Sequence, residues 1–202
     1  MQPTENMIFR RICGHGRGWA FTANDFTHEF KRATVDGALH RLAASGTIRR
    51  VQRGVYDYPG YSDFLKQDLG PDFDQVAQAI ARRFNWRIQA SGDGALNLLG
   101  LSTQVPARIV YLSDGPDRSY EIEMTTLSFE HATLKDIGFK HRHSGLIVHA
   151  LKALGKNHIT DDVKQHIRAQ LTPALRKKIL ADTKVVTGWV QNIILEICSE
   201  AR

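Results

Sequence analysis

The stretch TIRRVQRGVYDYP, residues 47–59, reads as a β-hairpin with three arginines crowded around its turn. Residues 48–51 and 55–58 are rich in β-branched and aromatic side chains and flank Gln52-Arg53-Gly54. Glycine supplies the left-handed backbone that a tight hairpin turn needs. Pro59 ends the second strand, having no N–H to give to a ladder. Arg49, Arg50 and Arg53 repel one another at this spacing. Either they form a solvated edge that blocks unwanted strand pairing, or an anion is meant to lie against them.

The residues upstream weigh on that choice. In FTANDF (21–26), Thr22 suits a helix N-cap, Asp25 stands three residues on, and Phe21 and Phe26 have the spacing of a hydrophobic staple. A second helix is therefore expected from there to about Phe30. In TVDGALHRLAASG (34–46), Thr34 is a plausible cap, and Val35, Ala38, Leu39 and Leu42 recur at i, i+3, i+4 and i+7. Gly46 supplies the stop of this third helix. A first helix, capped by Thr4 and turning Met7, Ile8 and Ile12 inward, is broken by Gly14, Gly16 and Gly18. Three helices and a hairpin within sixty residues form the layout of a winged helix-turn-helix.

In that fold the third helix enters the major groove and the wing lies on the sugar-phosphate backbone. Between residues 31 and 53 the chain carries Lys31, Arg32, Arg41, Arg49, Arg50 and Arg53 against the single acid Asp36. The candidate DNA contacts are Lys31, Arg32, Thr34, Asp36, Gly37, His40 and Arg41 around the third helix, with Arg49, Arg50 and Arg53 on the wing. Arginine suits phosphate because its planar fork makes paired, charged hydrogen bonds. Neutralising about five phosphates would give log K against log salt a slope of about −4 to −5.

The net charge of +6 over 202 residues favours polyanions only weakly by itself. No apolar run reaches the length of a membrane span, no signal-peptide core opens the chain, and Cys13 and Cys198 lie too far apart in sequence for a metal knuckle. A cytoplasmic protein is expected.

Beyond residue 60 the pattern changes. YSDFLKQDL (61–69), between Gly60 and Gly70-Pro71, reads as a linker or short connecting helix. Val76, Ala77, Ile80 and Phe84 mark an amphipathic helix, and residues 86–89 a strand. Ser91 caps a helix with Leu96, Leu98 and Leu99 inside. Residues 108–112, 120–124 and 127–131 are strand-like, with a turn at Asp114-Gly115-Pro116, and the remainder is helical, its last helix running from about Val185 to Cys198. Glu121 and Glu123, two apart on a strand, could share a divalent ion, although no third carboxylate or phosphate loop accompanies them. Ser91-Gly92-Asp93-Gly94 reads as a helix cap rather than a nucleotide loop. His141, His143 and His149 alternate with cations and match no metal spacing. Residues 135–178 are rich in Lys and Arg, either as solvated helix faces or as a second polyanion surface.

GRGWAFTANDF, TVDGALHRLAASGTIRRVQRGVYDYP and ASGDGALNLLGLSTQVPARIVYLSDG together resemble the AbiEi-type antitoxins of bacterial type IV toxin–antitoxin systems, over most of residues 1–150. The resemblance implies an α+β protein: a winged helix-turn-helix over 1–60, a connection over 61–71, and a mixed α+β antitoxin-like domain over 72–202 that ends in helices. It implies a non-enzymatic autoregulator that needs no cofactor and binds double-stranded operator DNA. It also implies a nucleotidyltransferase-like toxin as functional partner, without a stable complex. A homodimer on paired half-sites would add contacts that one small module lacks. The alternatives are a metal-dependent nucleotidyl- or phosphotransferase acting through Glu121 and Glu123, and a protein-recognition module.

Overall fold

A computed structural model describes residues 3–104 and 106–199, all in a mixed α+β arrangement. Two compact units divide between Trp86 and Arg87.

The first unit begins with α1 (Pro3–His15), which buries Ile8 and Ile12 and leaves Met7 56% exposed. Strand β1 (Ala20–Thr22) follows, then a 3₁₀ turn (Ala23–Phe26) where a full second helix was expected. The local start signals are present. The Asp25 carboxylate accepts from the Thr22 backbone N–H (2.8 Å) and hydroxyl (3.2 Å), and Phe21 meets Phe26 edge to face at 5.6 Å. What is missing is a face to bury: Thr27, His28 and Glu29 are all exposed, and short helices persist mainly through tertiary packing.

Helix α2 (Arg32–Ala44) starts before the expected Thr34 cap, with Lys31 at the N-cap, and it buries Val35, Ala38, Leu39 and Leu42 as the periodicity requires. Strands β2 (Arg49–Gln52) and β3 (Val55–Asp57) form the hairpin, with Gly54 at φ +75°. The antiparallel sheet has the order β1-β3-β2. Its register aligns Phe21, Tyr56 and Arg50 in one row and Ala20, Asp57 and Arg49 in the next. Phe21, Phe26, Leu39, Leu42, Ile8 and Ile12 share one core cluster, with Trp19, Tyr56 and Tyr58 packed on it.

Residues 61–69 do not form a connecting helix. They form a small hairpin, β4 (Tyr61–Ser62) and β5 (Gln67–Asp68), closed by the Leu69 N–H on the Gly60 carbonyl at 2.7 Å. Tyr61, Phe64, Leu65 and Leu69 keep a helical spacing, yet all four are exposed, Phe64 to 93% at the tip, so the stripe finds nothing to bury against. Helix α3 (Phe73–Phe84) is capped by the Asp72 carboxylate, which accepts from the N–H groups of Asp74 and Gln75. It packs against β1 within the first unit. The contact boundary therefore lies some fifteen residues beyond the expected 71/72 division.

In the second unit β6 (Ile88–Ser91) leads into α4 (Gly92–Leu98), with Ser91 at the N-cap and Leu98 exposed rather than inside. Strands β7 (Arg108–Ser113), β8 (Arg118–Ile122) and β9 (Thr125–His131) complete a sheet ordered β6-β7-β9-β8. β9 runs parallel to β7 and antiparallel to β8. The chain continues through α5 (Leu134–Ile137), α6 (Arg142–Leu154), a 3₁₀ turn (Lys156–His158), α7 (Asp161–Ala169), α8 (Pro173–Asp182) and α9 (Gly188–Cys198). Every residue of α6 from Ser144 to Leu151 is buried, as befits a helix enclosed on all sides. Thr172 caps α8 with proline at N1, as expected. Among the described residues no helix is long and apolar enough to cross a membrane.

Gly145 marks the tightest approach in this unit. A Cβ there would collide with the Gln89 carboxamide and stand 2.8 Å from Phe139 Cδ2. Gly145→Ala is expected to lower the unfolding free energy by about 1–3 kcal/mol through overpacking. Urea denaturation checks this; an unchanged midpoint would mean that Gln89 and Phe139 simply yield.

Candidate nucleic-acid interface

The six cations of residues 31–53 separate into two sets. Arg49 is internal. Its Nε and Nη2 donate to the two oxygens of Asp57 at 3.1 and 2.5 Å, and its Nη1 donates to the Leu69 carbonyl at 2.9 Å. The Asp57 side chain is 1% exposed, so Arg49 neutralises a buried charge rather than waiting for a phosphate. Arg41 donates through Nε to Glu5 at 2.6 Å, tying α2 to α1, and folds back over Gly37. Arg32 lies on both oxygens of Asp36 (3.0 and 2.9 Å) and on Asn24 Oδ1 (2.8 Å). Expected contacts Arg32, Asp36, Arg41 and Arg49 are thus already engaged within the chain, Arg49 through a bidentate bond to Asp57.

Lys31, Arg50 and Arg53 form the second set. All three are exposed, and their side chains have no ion pair or hydrogen bond among the described residues. Lys31 begins α2, Arg50 stands opposite Tyr56 on the edge strand, and Arg53 occupies the hairpin turn. Thr34 and His40 are exposed on α2.

One further cation joins the hairpin from outside the window that sequence reasoning considered. Arg83, near the C-terminus of α3, donates from Nη1 to the Arg53 carbonyl at 3.3 Å, and a Cβ on Gly54 would stand 3.1 Å from the same nitrogen. Glycine at position 54 therefore serves both the left-handed turn and this approach. The Arg83 carbonyl accepts from Asn24 Nδ2 at 3.2 Å, and Asn24 Oδ1 accepts from Arg32. Asn24 thereby links the start of α2 to the end of α3, and Arg83 links that end to the hairpin turn. No sequence signal joins residues sixty apart in this way; the only hint is the basic last turn of an otherwise ordinary amphipathic helix.

The second unit offers less. Glu121 ends its role in β8, both its oxygens accepting from the Thr126 hydroxyl at 3.0 and 2.9 Å. Glu123 lies in the β8–β9 turn at φ 53°. The two carboxylates do not share a strand face, contrary to expectation. Among the described residues no three His, Cys, Asp or Glu side chains gather to hold a metal ion. His149 is a core residue with Nε2 2.9 Å from the Asp136 carbonyl, and burial pushes its imidazole below the usual histidine pKa. Within the basic 135–178 region, Lys164 pairs with Asp161 and Glu196, and Arg168 donates to the Ile197 and Ser199 carbonyls at the end of α9.

Two outcomes test this division of labour. Arg49→Met leaves Asp57 buried without its cation and is expected to destabilise the protein by about 3 kcal/mol, read from denaturant midpoints. Arg83→Ala is expected to speed backbone amide exchange around Arg53-Gly54 while α2 stays protected; equal protection in both proteins would show that the hairpin turn stands unaided.

Comparison with known proteins adds the following. No curated protein matches the chain. Among solved structures it is similar to the crystal structure of the Rv2827c protein from Mycobacterium tuberculosis, at 13% identity and a TM-score of 0.41, covering 98% of this chain and 77% of that one. The model of a family of unknown function, DUF6088, matches residues 7–179, a span that takes in the cationic hairpin, α3 and the second sheet, and the chain belongs to that family.

Proposed function

We propose that the protein is a DNA-binding transcriptional autoregulator whose first unit is a winged helix-turn-helix, and that it acts as the antitoxin of a toxin–antitoxin operon. The DNA-binding part is supported by the order helix, strand, turn, helix, hairpin with the sheet arranged β1-β3-β2. The observation that carries it is the set of exposed cations, Lys31, Arg50 and Arg53, that have no carboxylate partner among the described residues, at the start of α2 and on the hairpin. Arg83 adds a fourth positive charge beside the turn. In this reading α2 lies in the major groove with Thr34 and His40 toward base edges. Arg50, Arg53 and Arg83 meet the backbone, and Lys31 the phosphate flanking the helix start. Arg32 and Arg41 hold α2 in place. The partner is double-stranded operator DNA, with a homodimer on two half-sites as the assembly that would bring further contacts.

The antitoxin part rests on the combined resemblance of residues 16–26, 34–59 and 90–115 to AbiEi-type proteins. Its functional partner is a nucleotidyltransferase-like toxin, with no stable complex required. The transferase alternative draws no support from the geometry, because Glu123 stands in a turn and Glu121 is held by Thr126.

Four phosphate contacts predict a slope of log K against log salt of about −3.6, shallower than a count of every cation in the window would give. Replacing Arg50 and Arg53 together by alanine is expected to reduce the slope by about 2 and to weaken all DNA sequences alike. Fluorescence anisotropy with the DNA upstream of the gene, at several potassium chloride concentrations, measures both. A double variant with unaltered affinity and slope would refute the role of the hairpin.

A further inference from the structure

In the second unit, two adjoining clefts of about 150 and 480 Å³ share Asp182 and Val185 as a common wall. Their apolar lining comes from three places. Leu134 opens α5 and Phe139 follows it, Val148 belongs to α6, and Val185 and Val186 form the turn before α9. Leu134 is 63% exposed and Val185 89% exposed, so large aliphatic groups face water here beside a recess. The late start of α9 at Gly188 is what leaves Val185 outside the helix.

The rim is cationic. Lys135 and Lys152 border one cleft, and Lys140, Lys178 and Lys184 the other. Among the described lining residues two carboxylates accompany these five lysines, and both are engaged. Asp182 accepts from the backbone N–H groups of Lys140 and His141 at 3.1 and 3.0 Å. Asp136 accepts from the Thr133 hydroxyl at 3.3 Å and lies 3.8 Å from Lys152. Lys135, Lys140, Lys178 and Lys184 have no carboxylate partner among the described residues.

We propose that this groove docks an acidic amphipathic helix of a partner protein, its apolar side chains on Leu134, Val185 and Val186 and its carboxylates against the lysine rim. Charge complementarity selects the acid, and the aliphatic floor selects a peptide over a nucleic acid. Single-stranded nucleic acid binds through exposed aromatic platforms. Among the described lining residues, the ring of Phe139 is half-buried and packs edge-on against His149 at 6.5 Å, and that of His141 is half-buried too. A helix laid in an apolar groove presents anchors at i, i+3, i+4 and i+7, which can span both clefts. The inference uses residues of the second unit only and does not depend on the DNA-binding reading.

The test uses the full chain and a fluorescein-labelled peptide of about fourteen residues, four helical turns, with leucine at the anchor positions and glutamate elsewhere. Two competitors are a scrambled peptide of the same composition and an oligothymidylate of equal charge. The amphipathic peptide is expected to bind about tenfold tighter than the scramble, a difference of about 1.4 kcal/mol. Val185→Asp with Leu134→Asp, both on the surface, should abolish that preference. Lys178→Glu with Lys184→Glu should weaken the amphipathic peptide about tenfold, again about 1.4 kcal/mol. Equal binding of peptide and scramble would overturn the proposal in favour of a plain electrostatic surface. Tighter binding of the oligothymidylate would overturn it in favour of a second nucleic-acid site. No binding of the amphipathic peptide would overturn it outright.

Discussion

The Asp57 carboxylate is almost wholly withdrawn from water, and a buried charge without a partner is among the most costly defects a small unit can carry. Arg49, directly across the strand pair, answers it with two hydrogen bonds and extends a third to the Leu69 carbonyl. One guanidinium thus fixes the pairing of β2 with β3 and ties the small hairpin of residues 61–68 to the sheet. The exposed cations depend on that arrangement. Arg50 follows Arg49 in the strand and is turned to the opposite face by the two-residue period of the backbone. Arg53 is placed by the turn that the paired strands close.

A cluster of like charges in a sequence therefore contains different kinds of residue. Arg32, Arg41 and Arg49 are internal counter-ions, for Asp36, Glu5 and Asp57 respectively. Lys31, Arg50 and Arg53 have no acidic partner among the described residues. Local counting could find Asp36 but not Glu5, which arrives from α1, nor the burial of Asp57, which depends on the whole sheet. A cation is available to a ligand only after the acids of every neighbouring element have taken theirs.

Much of the architecture was legible because it obeys short-range rules. The stripe of α2, the left-handed glycine of the hairpin, the Thr172-Pro173 start of α8 and the strands of the second sheet all follow from periodicity and capping. The failures have physical causes. Thr22, Asp25 and the two phenylalanines make every local contact of a helix start, yet the polar run that follows offers nothing to pack and one 3₁₀ turn results. Residues 61–69 hold helix-compatible side chains but close as a hairpin through a backbone bond between Leu69 and Gly60. Arg83 escaped notice because its role is defined by the Arg53 carbonyl, thirty residues earlier. The alternation of Glu121 and Glu123 suggested a shared face that a two-residue turn removes.

The order β6-β7-β9-β8 has a bearing on how the chain is made. β9 is an interior strand but the last of the four to leave the ribosome, and β7 has no partner on that side until it arrives. The β8–β9 ribbon can form at once through its tight turn, whereas joining β7 requires closure of a longer loop and a parallel register. Until residue 131 has been synthesised, β7 presents an unpaired main-chain edge of the kind that promotes mispairing between nascent chains. Helix α6, buried from Ser144 to Leu151, begins eleven residues later, so the sheet's closure and the arrival of its central helix are nearly simultaneous events in synthesis.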